Sequence, residues 1–281
     1  MIDETVAEIR EMRSHSSSAV AVKAATALRE LLDREYVSAD AFDRDLEHNA
    51  GALRRANPSH ASLHTAMRSI TDDVLGEADT PEEAKALLEA AIEEAVERVE
   101  SGKRRAAAHA ADTFEEGETI LTHDYSSTVL EAIETACADG CHLTAYVTEA
   151  RPRYLGRKTA RTLAGIDRVD PHLLVDSAAG YVMENVDRVV VGMDCIVEDT
   201  LYNRIGTYPI AAVADREDVP LTVVGSSTKV IDEFRFENEF RATSEVMREP
   251  VEGVDIENPA YDATPTELVD TLITDEGVQE F

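Results

Sequence analysis

The spacing of apolar and polar positions divides the chain into two parts of different texture. Residues 1 to about 114 repeat apolar residues at helical spacing and are rich in Ala and Leu. In "TPEEAKALLEAA", Thr80 is a candidate N-cap, Pro81 takes the first helical position, and two Glu follow in the first turn. We therefore predict an N-terminal helical domain over residues 1–114.

From about residue 117, short apolar runs rich in β-branched residues alternate with helical stretches. The runs are "TILTH" (119–123), "HLTAYVTEA" (142–150), "HLLVD" (172–176), "RVVVGMD" (188–194) and "LTVVGSS" (221–227). This alternation is typical of βαβ units around a buried parallel sheet. We predict an α/β fold, in which a Rossmann-like, doubly wound, mostly parallel sheet over 115–281 follows the helical domain. The acidic tail from about residue 235 is predicted to add a short helix and a surface segment.

Charge adds a second constraint. The chain has 57 Asp and Glu against 27 Lys and Arg, a formal net charge of −30, and only five of the basic residues are Lys. Dispersed acid with few Lys indicates a surface adapted to very high salt, where screening removes much of the self-repulsion; an ordinary acidic protein is the alternative. Such a surface repels nucleic acid and anionic membranes, so we expect no direct binding of either. The chain has neither a membrane-spanning apolar stretch nor a signal-peptide core, which predicts a cytoplasmic protein.

Cysteine and histidine spacing gives no indication of a metal. Cys137, Cys141 and Cys195 are an odd number without a ligand pattern, so free, buried or half-buried thiols are expected. His60 and His64 lie four apart on a helical pattern and are interpreted as surface histidines. No metal site and no cofactor are predicted.

Polar residues follow the predicted strands at the point where each one ends. His123 and Asp124 follow the first strand, with Ser126 at the start of the next helix, Arg151 follows the second, and Asp194 follows the fourth. The carboxyl ends of strands in a doubly wound sheet converge on one crevice, where ligands bind. Strand ends are also polar where they cap helices, but several such ends together favour a site.

Two segments supply candidate anion ligands around these strand ends. In "NRIGT", Asn203 and Arg204 precede Gly206 and Thr207 at a helix start, where backbone N–H groups attract an anion; a loop with a helix cap is the alternative. In "TEARPRYLGRKTA", arginines cluster at 151, 153 and 157. They either recognise a phosphorylated small molecule or pair with the protein's own carboxylates.

A third candidate lies near the N-terminus. In "MRSHSSS", Arg13 precedes three serines at a helix start. One serine is a candidate N-cap, and Ser17 is a candidate member of an anion nest with Arg13.

The order of these motifs resembles that of the initiation factor 2B alpha/beta/delta subunit family. The matching pieces are "MRSHSSSAVAVKAA", "NPSHASL", "ILTHDYSSTVLEAI", "VTEARPRYLGRKTA", "VVVGMDCI" and "NRIGTYPIAAVA", and they run from Arg10 to about Lys229. The same superfamily holds methylthioribose-1-phosphate isomerase and ribose-1,5-bisphosphate isomerase. The resemblance implies a helical domain, a Rossmann-like domain and homodimers formed through the latter.

The resemblance leaves the activity open, because the isomerases carry a catalytic Cys where this chain has Asp124. A carboxyl group with a reference pKa of about 3.9 does not replace a thiol whose reference pKa is about 8.5. The form "THDYSS" resembles the initiation-factor subunits instead. Two other segments also depart from the isomerases: Ser16–Ser18 stand in place of Arg-Gly-Ala, and Asn57-Pro58 in place of Arg-Pro. Arg204 replaces a Lys and keeps its charge.

Two functions are therefore carried forward. The first is a non-catalytic or regulatory member that binds a phosphorylated sugar or nucleotide, such as ribose-1,5-bisphosphate or a nucleoside monophosphate, in the inter-domain crevice, with initiation factor 2 as a further candidate partner. The alternative is a ribose-1,5-bisphosphate isomerase in which Asp124 and Asp194 divide the acid and base roles. In that case Cys195, next to Asp194, is a candidate source of the missing thiol.

Overall fold

The computed structural model describes residues 2–11, 17–231, 235–249 and 251–281. The chain forms two compact units, which adjoin in the sequence at Gly102 and Lys103. Within the described residues, no helix is long and apolar enough to cross a membrane.

The first unit is helical, as its periodicity predicts. Its helices are α1 (Ile2–Arg10), α2 (Ser17–Ala27), α3 (Ala39–Ala56), α4 (Ala61–Val74) and the greater part of α5 (Pro81–Ala111). Helix α5 starts at the predicted residue, and the Thr80 hydroxyl accepts a hydrogen bond from the Glu83 amide at 3.3 Å. The core lies between the apolar faces and includes Phe42, Leu46 and Met67, all fully buried.

His60 corrects one interpretation of this region. It was assigned to the surface with His64, but it is 1% exposed and immediately precedes α4. The first residues of α4 are already buried in the core, so His60, which immediately precedes the helix, is buried with them.

In its described residues, the second unit contains two sheets, the end of α5 and four further α-helices. The helices that follow α5 are α6 (Ser127–Ala138), α7 (Leu155–Leu163), α8 (Ala179–Val182) and α9 (Thr207–Arg216). The strands are β1 (Thr119–His123), β2 (Leu143–Thr148), β3 (Val169–Leu174), β4 (Arg188–Gly192), β5 (Cys195–Val197), β6 (Thr200–Arg204), β7 (Leu221–Val224), β8 (Tyr261–Pro265), β9 (Thr271–Thr274) and β10 (Gly277–Glu280).

The larger sheet confirms the predicted fold class. Its seven strands have the order β10-β9-β7-β4-β1-β2-β3, and every neighbouring pair is parallel except β9 with β10. Alternate residues of one strand face opposite cores: Val190 packs with α6 and α7, and Val189 and Val191 pack with α8 and α9. The sheet is therefore covered on both faces, as in a doubly wound fold.

The three cysteines are free, two of them buried and Cys141 half-buried, which confirms the prediction of free, buried or half-buried thiols.

The acidic tail contains the predicted surface segment, since its described residues up to 257 are exposed or half-buried, but it forms strands and not the predicted short helix. Strand β9 extends the large sheet beside β7, and β10 pairs back on β9. Strand β8 joins the hairpin of β5 and β6 in a separate three-stranded antiparallel sheet. These strands are three to five residues long, which is too short for a clear period, and their partners lie far away in sequence.

The position of β9 gives a test of the corrected tail. Ile273 is fully buried between the sheet and its covering helices, whereas Val278, opposite it on β10, is 54% exposed. We expect Ile273→Ala to lower the free energy of unfolding by about 2–5 kcal/mol through the cavity it leaves. The matched Val278→Ala should change it by no more than about 0.5 kcal/mol. Equal effects in chemical denaturation would contradict the placement of β9.

Candidate active site

Asp124 lies where β1 ends, in an unusual environment for a carboxyl group. Its backbone has φ 61°, in the left-handed region, and the Thr159 hydroxyl donates a 2.6 Å hydrogen bond to its carbonyl oxygen. The residue is only 7% exposed, and among the described residues its side-chain Oδ1 has no hydrogen-bond partner. A buried polar atom without a partner costs stability, so such an atom is typical of a site that awaits a ligand.

Arg204, the last residue of β6, connects the two candidate catalytic carboxylates. Its Nε lies 3.2 Å from Asp194 Oδ2 and 3.8 Å from Asp124 Oδ2. Its guanidinium carbon lies 4.8 Å from the centre of the Tyr261 ring, which adds a cation–π contact. Arg204 therefore joins the ends of β1 and β4 to the smaller sheet.

The electrostatics of this group separate Asp124 from its neighbours. Burial raises the pKa of Asp124 above the ordinary value for an aspartic acid, and the positive charge of Arg204 offsets this rise only in part. Burial also opposes the charge on Arg204, but Asp194 and the other acidic groups around it outweigh burial and raise its pKa. The guanidinium therefore stays charged, and Asp124 is biased towards its protonated form.

A pocket opens beside Asp124, and arginines dominate its wall. Four arginines line it, Arg151, Arg153, Arg204 and Arg241, whereas Asp124 is its one acidic residue among the described residues. The rest of the lining consists of Ala150, Pro152, Leu155, Ile205, Pro259 and Ala260. For a chain with twice as many acids as bases, this is a marked local concentration of positive charge.

The loop that carries Arg151 is held by the end of the next strand. The Asp176 carboxylate accepts hydrogen bonds from the backbone amides of Ala150 and Arg151, both at 2.7 Å. Gly156 allows α7 to pack directly on β2, because a Cβ there would lie 1.8 Å from the Thr148 carbonyl oxygen. The arginine loop is therefore fixed at both ends.

Arg157 pairs with one of the protein's own carboxylates, which was the alternative to phosphate recognition for the arginine cluster. Its guanidinium donates to Glu149 Oε2 at 2.6 and 3.1 Å and lies 3.9 Å from the centre of the Tyr154 ring. It does not line the pocket. Of the cluster, Arg151 and Arg153 reach the pocket, and Arg157 pairs with the protein's own carboxylate.

The start of α9 requires a correction, because an internal carboxylate occupies it. Asp262 Oδ2 accepts hydrogen bonds from the amides of Gly206 and Tyr208, at 2.6 and 3.0 Å. Thr207 donates through its hydroxyl to the Arg204 carbonyl oxygen at 2.7 Å and accepts from Asn203 Nδ2 at 3.1 Å. The predicted anion is therefore a side chain of β8, which lies more than fifty residues further along the chain.

His123 and Ser126 hold the site in place from within the protein. The His123 ring contacts Thr148 Oγ1 at 2.6 Å through Nδ1 and the Ile205 carbonyl oxygen at 2.8 Å through Nε2. Gly206 has φ 110°, and a Cβ there would lie 2.7 Å from that ring. Ser126 Oγ accepts from the Val129 amide at 3.3 Å and caps α6. Both ring nitrogens of His123, which were predicted to bind a ligand, therefore have partners within the protein.

The remaining predicted residues belong to the first unit. Ser17 is the buried first residue of α2, and its role in ligand binding stays a prediction. Arg13 lies outside the described residues.

Sequence reasoning missed two basic residues. Arg241 lines the pocket, but it comes from the irregular tail, where no local pattern marked it. Lys229 is buried, and its ammonium donates to the Met193 carbonyl oxygen at 2.8 Å; burial lowers its pKa, and nearby Asp194 opposes that shift. The sequence signal for Lys229 was its position shortly after the end of a strand, in a chain that has only five lysines.

Cys195 does not supply the missing thiolate. It is fully buried, and burial together with the charge of Asp194 raises the pKa of its thiol. Among the described residues, no group of three or more His, Cys, Asp or Glu side chains is arranged to hold a metal ion.

Fold and site together define a two-unit α/β protein with an arginine-lined pocket at the carboxyl ends of its parallel strands. The sequence matches the Initiation factor 2 subunit family over residues 13–280, and the chain belongs to that family. This confirms the family resemblance that the sequence motifs indicated.

Relatives with different names share this architecture. The ribose 1,5-bisphosphate isomerase of Haloterrigena turkmenica is 32% identical over 97% of this chain and 88% of the relative. The protein of the same name from Methanocaldococcus jannaschii is 31% identical over 99% of this chain and 91% of the relative. The crystal structure of the translation initiation factor eIF-2B of Pyrococcus horikoshii OT3 superposes with a TM-score of 0.85 at 26% identity, covering 99% of this chain and 96% of that one.

The raised pKa of Asp124 predicts a pH-dependent stability difference. When a carboxyl group has a higher pKa in the folded than in the unfolded state, the folded protein loses stability as the pH rises from the unfolded-state pKa to the folded-state pKa. We expect Asp124→Asn, which cannot ionise and which tolerates the left-handed backbone, to be more stable than the wild type at pH 7. The difference should shrink towards zero as the pH falls to about 4.

The matched control for this measurement is Asp218→Asn, because Asp218 also has a positive φ, 56°, but is exposed. Its stability relative to the wild type should vary little with pH. A pH-independent difference for Asp124→Asn in chemical denaturation would show that burial does not disfavour the Asp124 charge.

The capping role of Asp262 gives a separate test. We expect Asp262→Ala to lower the free energy of unfolding by about 1–2 kcal/mol, because two amides at the start of α9 lose their acceptor. Asp262→Asn, which keeps an acceptor oxygen, should lose less. Asp215→Ala, at an exposed position near the end of the same helix, is the control and should be close to neutral. Equal losses in all three variants would contradict the cap.

Proposed function

We propose that this protein is an aldose–ketose isomerase of the ribose 1,5-bisphosphate type that uses Asp124 and Asp194 as its acid and base. The observation that carries the proposal is that both carboxyl groups lie within ion-pair distance of Arg204 Nε, but in environments of different character. Both are buried, but Asp124 lines the pocket and has one oxygen without a hydrogen-bond partner among the described residues, whereas Asp194 forms the shorter ion pair.

The reaction needs this difference between the two groups. In ribose 1,5-bisphosphate the anomeric carbon is held in the ring, so an acid must protonate the ring oxygen as the C1–O4 bond breaks. A base then removes the C2 proton and delivers it to C1, and the 2-hydroxyl proton returns to the acid as the C2 carbonyl forms. Burial biases Asp124 towards the protonated form, which suits it to donate. Asp194, paired with Arg204, is the carboxylate that accepts the proton. The Arg204 cation stabilises negative charge that develops on the sugar between them.

The relatives support the substrate class. Three relatives named ribose 1,5-bisphosphate isomerase align over nearly the whole of this chain at 30–32% identity. The pocket agrees with a phosphorylated ligand, because its arginines offer charged, bidentate donors to phosphate oxygens. A homodimer is part of the proposal on the ground of family resemblance.

A second candidate function rests on one specific observation. Arg204 lies within ion-pair distance of both carboxylates, and charge neutralisation by a fixed cation weakens a carboxylate as a base. Together with Asp124 in the position of the family's catalytic Cys, this favours a regulatory member that binds a phosphorylated sugar or nucleotide without converting it. Initiation factor 2 belongs to this candidate as a partner.

Turnover of ribose 1,5-bisphosphate separates the two candidates. We expect the purified protein, in the salt concentration at which it is folded, to form ribulose 1,5-bisphosphate at about 1 per second or faster. Asp124→Asn and Asp194→Asn should each reduce this rate by at least about a hundredfold, since each removes a proton-transfer group. Asp218→Asn is the control and should retain the wild-type rate.

The regulatory candidate predicts a different result. In that case calorimetry detects binding of the bisphosphate or of a nucleoside monophosphate, but no ketose product forms above background. Asp124→Cys then tests whether the missing thiol is the reason, because Asp194 is still present. Wild-type binding without turnover would reject the isomerase proposal.

A further inference from the structure

Asp124 is held in place through its backbone and not through its carboxyl group. Within the described parts of the chain, its Oδ1 has no hydrogen-bond partner, and its Oδ2 lies 3.8 Å from Arg204 Nε, which is beyond the distance of a hydrogen bond. In contrast, the carbonyl oxygen of the same residue accepts a hydrogen bond of 2.6 Å from the Thr159 hydroxyl. The direction of the carboxyl group therefore depends on the conformation of the Asp124 backbone.

That backbone conformation is one that needs support. A φ of 61° lies in the small left-handed region, which is costly for a residue with a side chain, although Asp tolerates it better than most. Such conformations persist where the surrounding structure fixes them, and they are concentrated at functional sites. Because φ and ψ set the direction of the Cα–Cβ bond, relaxation of this conformation would turn the Asp124 carboxyl group away from its present position.

Helix α7 supplies the support through two successive residues. Thr159 is 2% exposed and donates to Asp124, and the Lys158 ammonium lies 3.8 Å from the centre of the ring of Tyr125, the next residue along. The connection between β1 and α6 consists of Asp124, Tyr125 and Ser126, and Ser126 caps α6. Each residue of this short connection therefore has an anchor.

The position of α7 is itself fixed against the sheet. Gly156, three residues before Thr159, allows the helix to pack directly on the carbonyl group of Thr148 at the end of β2. The hydroxyl of Thr148 contacts His123, the residue before Asp124, at 2.6 Å. The end of β2 thus supports both sides of the hydrogen bond between Thr159 and Asp124.

We infer that Thr159 is a positioning residue of the site, whose hydroxyl holds the Asp124 backbone in the conformation that presents the Asp124 carboxyl group to Arg204 and to the pocket. Thr159 is not among the described residues that line the pocket, so it acts through Asp124 and not on a substrate. The inference rests on the proposed function for what the positioned carboxyl group does, which is to act as the acid.

The surroundings of the carboxyl group make its position measurable. Burial raises the pKa of Asp124, and the charge of Asp194 adds to this rise, whereas Arg204, His123 and Arg153 oppose it. Burial is the largest of these effects. A carboxyl group that turns out of the site gains contact with water, so its pKa falls towards the ordinary value for an aspartic acid.

Turnover in threonine variants gives the first test. Thr159→Val keeps the shape of the side chain and removes its hydroxyl. We expect kcat for ribose 1,5-bisphosphate to fall about tenfold to a hundredfold, because a displacement of about 1 Å is enough for such a loss. KM should change by less than about threefold, since Thr159 does not act on the substrate. Thr159→Ser keeps the hydroxyl and should restore most of the rate.

A double variant distinguishes positioning from a general loss of structure. In the Asp124→Asn background, Thr159→Val should cause no further fall in kcat, because the acid that Thr159 positions is already absent. Equal fold losses in the two backgrounds would overturn the positioning role. If Thr159→Val does not fold, Thr159→Ala removes the same hydroxyl and takes its place in both comparisons.

Two other threonines provide matched controls. Thr162→Val removes an exposed hydroxyl of the same helix, which donates to the Lys158 carbonyl oxygen at 3.1 Å. Thr71→Val removes a buried hydroxyl of α4, which donates to the Met67 carbonyl oxygen at 3.0 Å. Both variants should retain the wild-type kcat, and a loss in either as large as that in Thr159→Val would count against the inference.

A measurement without turnover separates this inference from the isomerase proposal. The pKa of the Asp124 carboxyl group is measured by carbon-13 NMR, with its signal assigned by its loss in Asp124→Asn. We expect a lower pKa in Thr159→Val than in the wild type, and an unchanged pKa in Thr162→Val and Thr71→Val.

The outcomes of the two measurements are distinct. A lowered pKa in Thr159→Val, without any turnover by the wild type, would support the positioning role and reject the isomerase. Wild-type turnover that Thr159→Val leaves unchanged would overturn the positioning role and leave the isomerase intact. An unchanged pKa of Asp124 in Thr159→Val would also overturn the positioning role.

Discussion

The buried charge of Arg204 is the constraint on which the second unit's site depends. A guanidinium group withdrawn from water needs anionic partners, and removing one of them is strongly destabilising. Its partners follow β1 and β4, which are neighbours in the large sheet, whereas Arg204 itself ends β6 of the small sheet. The ion pairs therefore fix the two sheets to each other. The positive φ of Gly206 and the carboxylate of Asp262 then set the direction in which the chain leaves β6.

This arrangement also gives the two carboxyl groups different chemistry. Arg204 lies 0.6 Å closer to Asp194 than to Asp124, from 3.2 and 3.8 Å, and Asp124 keeps one oxygen without a partner. A fold selected only for stability would pair or replace that oxygen, because it costs free energy where it stands. Its retention beside a pocket is the kind of local cost that proteins bear at functional sites.

Much of the large sheet could be predicted from sequence, because its central strands are buried on both faces and appear as continuous β-branched runs. Strand β1 begins and ends where "TILTH" predicts. Other parts depend on contacts between distant residues, which no local pattern records. Asp262 and Gly206 are 56 positions apart, and the hydrogen bond between them places an internal carboxylate at the start of α9, where a ligand anion was predicted. Likewise, the sequence places Arg151 and Arg157 in one cluster. Only the structure shows that Arg157 pairs with Glu149, whereas Arg151 lines the pocket.

The acidic composition of the chain bears on the clustering of its arginines in a pocket. The interpretation of the surface as adapted to high salt stays a prediction, but its electrostatics are general: near 1 M salt the Debye length is about 3 Å, so exposed cations attract distant anions only weakly. Partly buried charges are screened much less. A cation in a sheltered pocket therefore keeps more of its attraction for an anion at high salt than an exposed cation does. Arginine suits this position better than lysine, because it stays charged when buried and makes directional contacts that salt does not replace.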